Sequence, residues 1–249
     1  MSVPLPPAEH EAGLARRLAP SPAGARRYAV KALWRTVQGE GAQAGRPAVF
    51  VRLAGCNLWS GHDRDRRRDA ERHGNACALW CDTDFAPEGA VKLSADALAG
   101  EAARVGGPVR FCVLTGGEPL LQADAELIRA LHDRGFWVAV ETNGTQRLAD
   151  AFGDGPQPDW VVCSPKLPEG RLPIEACDEL KLVVPDYRPD AYAGLAARVR
   201  ERPDGRRYLW LQPEDGPRLA EATRLALDLC FQDPAWRVSV QTHKALGVD

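Results

Sequence analysis

The sequence predicts an α/β protein built around a parallel sheet. From residue 28 onwards, apolar runs of strand length alternate with helical patterns, which is the order of βαβ units. Several runs are apolar on both faces, as strands covered by helices are. A length of 249 residues suits one barrel-sized domain or two smaller ones. Since no linker interrupts 28–249, we expect one domain at 27–249. Residues 1–26, rich in Pro, Ala and Arg, are expected to form a flexible extension.

The predicted elements alternate along the chain. Runs rich in β-branched, aromatic and aliphatic residues predict strands at 28–34, 48–54, 109–115, 136–142, 159–164, 179–184, 208–213 and 237–241. Apolar residues at helical spacing predict helices at 94–104, 123–134, 189–201 and 217–231. Ser94 and Asp124 stand where N-caps would begin the first two helices.

The composition is that of an ordinary globular protein. Hydrophobic residues make up 45% of the chain and charged residues 27%. Lys and Arg total 32 against 34 for Asp and Glu, which gives no sign of a nucleic-acid partner. No apolar stretch approaches a membrane span, and residues 1–26 lack the apolar segment of a signal peptide. We therefore expect a cytoplasmic protein that binds neither membrane nor nucleic acid.

Polar or glycine-rich segments follow nearly every predicted strand. In chain order they are RTVQGEG, a cysteine-containing segment, TGGEP, TNGT, SPK, QPEDGP and QTHK. Because the carboxyl ends of parallel strands lie along one edge of a sheet, binding sites gather at that edge. We expect all these segments on one rim, where they would form a binding site.

Three cysteines carry the strongest chemical information. Twenty residues separate Cys56 from Cys77, and three residues separate Cys77 from Cys81. Three thiolates near a strand end can bind a metal ion or three corners of an iron–sulfur cluster. A structural zinc site would need a fourth ligand, for which His62 or His73 is the candidate. The spacing lacks the compact knuckle of such a zinc site, so it favours the cluster.

Taken together, the segments resemble a known family. They are TVQGEG, GRPAVFVRLAGCNLWSG, WCDTDF, LTGGEPLLQ, VETNGT, SPK, ELKLVVP, LQPEDGP and QTHK, in this order over residues 28–249. TGGEP alone suggests the radical S-adenosylmethionine superfamily, and the whole set resembles its 7-carboxy-7-deazaguanine synthases. The resemblance implies a modified, partly open (β/α) barrel with its site at the carboxyl rim of the strands. The superfamily usually has two residues where this chain has three between Cys77 and Cys81. We expect a one-residue bulge there.

The resemblance also implies a reaction and its cofactors. The reaction is conversion of 6-carboxy-5,6,7,8-tetrahydropterin to 7-carboxy-7-deazaguanine with loss of ammonia, in queuosine or deazapurine biosynthesis. In the family a [4Fe–4S] cluster binds S-adenosylmethionine at an open iron. A deoxyadenosyl radical then takes hydrogen from the substrate, and S-adenosylmethionine is regenerated. Mg²⁺, a reductant such as flavodoxin or ferredoxin, and a homodimer are also implied.

The resemblance assigns roles to individual residues. Cys56, Cys77 and Cys81 hold the cluster, and Glu118 accepts a hydrogen bond from the methionine ammonium. The other residues assigned to S-adenosylmethionine are Trp80, Cys81, Asp82, Gly117, Ser164, Pro165, Lys166, Gln212, Pro213, Glu214 and Asp215. The substrate is assigned to Val37, Gln38, Gly39, Glu40, Arg52, Thr115, Glu141, Asn143, His243 and Asp249, and Mg²⁺ to Thr83.

Several of these residues also have a structural interpretation. TGGEP would serve as a simple turn, Arg52 would form a buried salt bridge, and His243 would be a packing residue. Two other functions remain open. An activase acting on a partner protein would lack a carboxylate site around Arg52, and a zinc-stabilised binding module would lack the cluster.

A run of charges lies between the first two motif cysteines. It reads RDRRRDAER over residues 64–72. Acidic residues are interspersed among the arginines, which predicts the solvated face of a helix rather than an RNA-binding site.

Overall fold

The computed structural model of the chain describes residues 26–203 and 205–248, which contain one nine-stranded sheet. The strands are β1 (Tyr28–Val37), β2 (Pro47–Leu53), β3 (Val91–Leu93), β4 (Phe111–Gly116), β5 (Trp137–Thr142), β6 (Trp160–Cys163), β7 (Glu179–Val184), β8 (Tyr208–Pro213) and β9 (Trp236–Val238). Their spatial order is β3-β1-β2-β4-β5-β6-β7-β8-β9. All the predicted strands are present, and β3 is an addition.

Helices connect most of the strands. They are α1 (Arg66–His73), α2 (Cys77–Trp80), α3 (Ala95–Gly106), α4 (Ala125–His132), α5 (Leu148–Phe152), α6 (Ala193–Arg198), α7 (Leu219–Gln232) and α8 (Thr242–Leu246). Short 3₁₀ turns lie at Gly41–Gln43, Asp63–Asp65, Pro119–Leu121, Glu169–Arg171 and Pro189–Tyr192. Within the described ranges, no helix is both long enough and apolar enough to cross a membrane.

The prediction of a wholly parallel sheet is wrong at one end. Strands β2 and β4 to β9 pair in parallel, but β1 runs antiparallel to both β2 and β3. Only nine residues, 38–46, join β1 to β2. A parallel crossover needs about a dozen residues or more, so a link of this length closes a hairpin instead.

The antiparallel β1 also corrects the prediction of a single rim. Val37, at the carboxyl end of β1, pairs with Pro47 at the amino end of β2. The loop 38–46 therefore starts at the edge opposite to the cysteine segment. The loop then extends towards the carboxyl ends of the parallel strands. There Gln38 Nε2 donates to Oε1 of Glu141, near the carboxyl end of β5, over 3.0 Å. The β1–β2 loop and the other segments thus approach the same place from opposite edges.

Two predicted elements end earlier than expected. The helix predicted at 189–201 is a 3₁₀ turn followed by the short α6, because Val199 leaves the helix to form a bridge with Cys177. The strand predicted at 237–241 stops at Val238. The backbone N–H of Thr242 then donates to the carbonyl of Gly39 over 2.9 Å, which turns the chain away from the sheet and into α8.

The expected helix caps are confirmed. Ser94 Oγ accepts from the N–H of Ala97 at 3.3 Å, and Asp124 Oδ1 accepts from that of Leu127 at 3.0 Å. Apolar faces of α3 and α4 pack with the sheet in the main core. The charge run also forms a helix, α1, as predicted.

Candidate active site

The last two motif cysteines lie on one turn of helix. α2 begins at Cys77, and the backbone N–H of Cys81 donates to the Cys77 carbonyl over 2.8 Å. The three intervening residues thus separate the cysteines by four positions, which places their side chains on the same side of the turn. The unusual spacing is accommodated by a helical turn and not by the expected bulge.

Neighbouring groups fix the thiols. Asn75 Oδ1 accepts from Cys77 Sγ at 3.2 Å, and the Cys77 N–H donates to the Tyr187 hydroxyl over 3.2 Å. Cys56 Sγ accepts from the N–H of Leu58 at 3.4 Å. Burial raises the pKa of the Cys56 thiol to about 11 and that of Cys77 to about 12. Both thiols are therefore protonated at neutral pH unless a bound metal centre supplies positive charge.

One cavity of about 230 Å³ gathers most of the predicted site residues. Its lining includes all three motif cysteines. It also includes the predicted cofactor contacts Trp80, Asp82, Gly117, Ser164, Lys166, Gln212, Pro213, Glu214 and Asp215, the predicted substrate contacts Glu40, Thr115, Glu141 and Asn143, and Thr83. Segments that lie far apart in the sequence therefore meet around one space.

The other predicted residues lie outside this lining. They are Val37, Gln38, Gly39, Arg52, Glu118, Pro165 and His243, while Asp249 falls outside the described residues. Gly39 lies against the His243 ring so closely that a Cβ there would stand 1.9 Å from Nδ1. His243 therefore packs on the β1–β2 loop, in line with its structural interpretation.

Among the described residues, Arg52 does not form the buried salt bridge that was its structural alternative. Its guanidinium lies over the Trp34 ring at 4.9 Å, and its buried Nε has no hydrogen-bond partner among the described residues. Burial lowers the pKa of Arg52, although the carboxylates of Asp82 and Glu141 favour its charged form. A buried donor of this kind is suited to an anionic ligand, since an unmet buried hydrogen bond is costly.

Glu118 is almost completely buried beside the cavity. Its carboxylate accepts from the N–H of Leu120 at 2.9 Å, from the Thr142 hydroxyl at 2.9 Å and from the N–H of Asn143 at 2.7 Å. Burial raises the pKa of Glu118 to about 7, although these hydrogen bonds act to lower it. Glu118 thus joins the TGGEP segment to the end of β5, and TGGEP is more than a simple turn.

A buried ion pair lies at the centre of the site. The Glu40 carboxylate pairs with the Lys181 ammonium. It also accepts from Gln212 Nε2 at 2.9 Å and from Gln241 Nε2 at 2.8 Å. Burial opposes ionisation of Glu40, but the Lys181 charge outweighs it and lowers the pKa of Glu40 to about 2. Both partners are therefore charged at neutral pH.

Polar side chains at the end of β5 extend this network. Glu141 accepts from Gln38 Nε2 through one oxygen, and from Thr115 Oγ1 at 3.1 Å through the other. Asn143 Nδ2 donates to Asn57 Oδ1 over 3.2 Å. The hydrogen bonds hold these cavity-lining groups in one arrangement.

A second lysine places positive charge near the thiols. Lys166 Nζ donates to the carbonyl of Ser164 over 2.9 Å and to its hydroxyl over 2.6 Å. Burial lowers the pKa of Lys166, while Cys77 and Cys81 are close enough to act on its charge. A cation beside cysteines favours their thiolate form.

A third lysine joins two walls of the cavity. Lys244, on α8, reaches Asp215 Oδ2 at 2.5 Å and Asp82 Oδ2 at 3.4 Å. Both aspartates line the cavity. The C-terminal helix is therefore tied to the segment after the third cysteine and to the loop after β8.

The histidine-completed zinc site has no support from this geometry. His62 Nε2 lies 3.6 Å from Glu88 Oε1, and His73 lines a separate pocket with Arg171. Neither histidine lines the cysteine cavity.

Lys181 and Glu179 are the main residues that the sequence reasoning missed. Glu179 accepts from the N–H of Ala42 at 3.1 Å and from Trp160 Nε1 at 3.2 Å. Gly41, at a φ of +62°, approaches it so closely that a Cβ would lie 1.7 Å from its Oε1. The segment ELKLVV could have revealed both residues. Glu179 and Lys181 are charges in a strand covered on both faces, and such charges need partners from other parts of the chain.

Replacing Lys181 by Met is expected to destabilise the protein by about 3 kcal/mol, because the Glu40 carboxylate would stay buried without its cation. Adding Glu40→Gln should recover part of this loss, since a neutral amide tolerates burial better than a carboxylate. Urea denaturation at pH 7 measures both effects, with the exposed Lys92→Met as control. Equal stability of Lys181→Met and Lys92→Met would contradict the assignment.

The same pair predicts a pH dependence. The pKa of Glu40 falls from 4.5 to about 2 on folding, so its contribution is complete above pH 4.5 and is lost as the pH falls towards 2. Denaturation measured across this window should show a shallower loss of stability for Glu40→Gln than for the wild type.

Comparisons with known proteins find relatives over nearly the whole chain. The chain is 47% identical over 232 residues to the 7-carboxy-7-deazaguanine synthase of Bordetella pertussis, covering 89% of this chain and 99% of the relative. It is 46% identical to that of Bradyrhizobium diazoefficiens over the same length and with the same coverage. No family model matches the chain.

A solved structure is also similar. The crystal structure of QueE from Escherichia coli aligns with a TM-score of 0.60 at 27% identity, covering 86% of this chain and 94% of that one. Since the sequence identities to the curated relatives extend over nearly their whole length, the chain belongs to the 7-carboxy-7-deazaguanine synthase family.

Proposed function

We propose that this chain converts 6-carboxy-5,6,7,8-tetrahydropterin to 7-carboxy-7-deazaguanine with loss of ammonia, in deazapurine (queuosine) biosynthesis. The observation that carries the proposal is the single cavity in which the three cysteines, Lys166 and the polar groups around Glu40 meet. Family membership names the reaction class, and the cavity supplies the chemical groups that it requires.

In this proposal the three motif cysteines hold a [4Fe–4S] cluster. The donor set fits, because Cys56 receives an N–H hydrogen bond and Lys166 supplies a cation near Cys77 and Cys81. When bound, such a cluster supplies the electron that cleaves the sulfonium of S-adenosylmethionine.

S-adenosylmethionine is proposed to bind along the neighbouring wall. Ser164 and the segment 212–215 present hydroxyl, amide and carboxylate groups to the cavity, and these suit a ribose and an adenine. Glu118 is proposed to contact the methionine ammonium. A cation there would stabilise its ionised form, which burial alone disfavours.

The substrate is proposed to bind between β2 and the β1–β2 loop. The unpaired Nε of Arg52 would donate to its carboxylate, and a guanidinium is well shaped for that contact. This feature favours a small carboxylate substrate over the alternative of a protein-activating enzyme. Glu40 and Glu141, both held by internal donors, would accept from the N–H groups of the pterin ring. The Lys244 contacts would help to exclude water.

We further propose the partial-barrel form of the α/β fold, with 27–249 as one catalytic domain. Support comes from contacts between the two ends of the domain. Gly41 N–H donates to Ser239 Oγ over 3.0 Å, and Gln241 reaches Glu40. These contacts support a curved sheet, because β1 and β9 lie far apart in its strand order. A small reducing protein, such as a flavodoxin or ferredoxin, is the proposed electron donor.

An anaerobic assay tests the reaction. The purified, iron-reconstituted chain with S-adenosylmethionine and a reductant is expected to form the deazapurine from the carboxytetrahydropterin. Cys77→Ala should abolish turnover and remove most of the bound iron, because one of three thiolates is lost. Cys230→Ala, on α7, is the matched control and should keep both. Full iron content in Cys77→Ala would contradict the ligand assignment.

Mg²⁺ is proposed as a further cofactor at Thr83. Thr83 lines the cavity together with its sequence neighbour Asp82, and Mg²⁺ prefers oxygen ligands. Added Mg²⁺ is expected to stimulate turnover, and Thr83→Ala to weaken that response. Thr223→Ala, which removes an exposed hydroxyl on α7, is the control. Turnover that survives exhaustive chelation unchanged would rule the proposal out.

The homodimer is also a proposal, supported by exposed apolar side chains such as Phe231, which is 80% exposed. Sedimentation equilibrium at micromolar concentration is expected to give about twice the 27.1 kDa chain mass. A single species at the chain mass would refute it.

A further inference from the structure

The charge run between the first two cysteines contains one arginine, Arg66, that is only partly exposed to solvent. Arg66, at the start of α1, donates through Nη1 to the carbonyl of Ala78 and through Nη2 to that of Cys81, both over 2.9 Å. Its Nε donates to Asp63 Oδ1 over 2.8 Å, and its guanidinium lies 4.5 Å from the centre of the Trp59 ring. The prediction of a purely solvated face is wrong at this position.

Both carbonyl contacts of Arg66 are made with the α2 turn, where this chain has three residues between Cys77 and Cys81 instead of two. A single helical turn leaves its last carbonyls without intrahelical partners. In α2 the Ala78 carbonyl and the Cys81 carbonyl beyond its end are both met by Arg66. The planar fork of a guanidinium can reach two acceptors at once, which an ammonium cannot do with the same geometry. A gap of two residues would change the offset between these carbonyls.

The helix that carries Arg66 is fixed at both ends to the cysteine segments. Near the first cysteine, buried Asp69 accepts from the N–H of Ser60 at 2.8 Å and pairs with Arg68. Near the second, the N–H of Asn75 donates to the Ala70 carbonyl over 3.1 Å. Hydrogen bonds to the segment after Cys56 and to the segment before Cys77 therefore fix the position of α1.

We infer that Arg66 is a positioning residue for the iron–sulfur cluster. The inserted helix α1 and the additional residue between Cys77 and Cys81 form one structural unit, in which Arg66 fixes the orientation of the α2 turn and hence of its two thiolates. The inference rests on the proposed function only in that the three cysteines bind the cluster.

The test compares Arg66→Met, Arg66→Lys and Arg67→Met in the full chain, each reconstituted anaerobically with iron and sulfide. Arg67 is an exposed neighbour on the same helix and serves as the control. Transfer of iron to a ferrous chelator is followed by absorbance. Arg66→Met is expected to lose iron roughly ten-fold faster than the wild type, as loss of a group that orients ligands does. Arg66→Lys should be intermediate and Arg67→Met unchanged. Equal rates for both methionine variants would overturn the inference.

A second measurement separates positioning from general stability. The iron loss of Arg66→Met should exceed what any difference between the unfolding temperatures of the iron-free Arg66→Met and Arg67→Met proteins accounts for, and the electron paramagnetic resonance spectrum of the reduced cluster should change only in Arg66→Met. Iron loss that merely follows a lowered unfolding temperature, with an unchanged spectrum, would show that Arg66 only supports the fold.

A third arm tests the link to the cysteine spacing. Leu79 is 54% exposed on α2, and its deletion restores a two-residue gap. In that background Arg66→Met is expected to cause no additional iron loss, whereas an undiminished ten-fold effect would break the link. Turnover of the wild type in the same preparations reports separately on the proposed reaction. A wild type that holds iron through the three cysteines but lacks turnover would refute the reaction and leave the role of Arg66 intact.

Discussion

The buried ion pair between Glu40 and Lys181 is the constraint on which the site depends. A charge away from water must be paired, and here the partners come from a loop and from a central strand. The hydrogen bonds of Gln212 and Gln241 add two further segments to the same carboxylate. One charged group thus holds together the β1–β2 loop, β7, β8 and the segment after β9. The cavity is the space that these four leave beside the cysteines.

Charged side chains and buried thiols lie in and around this space. Lys166 stands near thiols whose burial keeps them protonated in the absence of a metal. Arg52, held in place by the face of Trp34, keeps a buried N–H with no partner among the described residues, although it lies outside the cavity lining. The lining itself carries five carboxylate side chains, Glu40, Asp82, Glu141, Glu214 and Asp215, beside Lys166 and Lys181. The space therefore presents charge of both signs to a ligand, and buried charges of this kind are the least screened by salt.

Local sequence patterns predicted most of the elements, because apolar runs and capping residues act within a few positions. The strands at 179–184 and 208–213 and the caps Ser94 and Asp124 follow from such patterns. The antiparallel β1 was missed because the rule that places loops on one rim assumes a crossover after each strand. Most motif residues were found in the cavity, since the motifs mark the ends of parallel strands. Lys181 was missed because its partner lies 141 positions away.

The contact between the β1–β2 loop and the C-terminal segment also affects how the protein folds. Gln241 reaches Glu40 across 201 positions, and Thr242 reaches Gly39 across 203. Contacts this distant in sequence close late, because each requires a long loop of chain to be ordered first. During synthesis the strands from β1 to β8 can pair before the end of the chain emerges, but the cavity cannot close. The binding site therefore cannot be completed until Gln241 and Thr242 have left the ribosome and reached the β1–β2 loop.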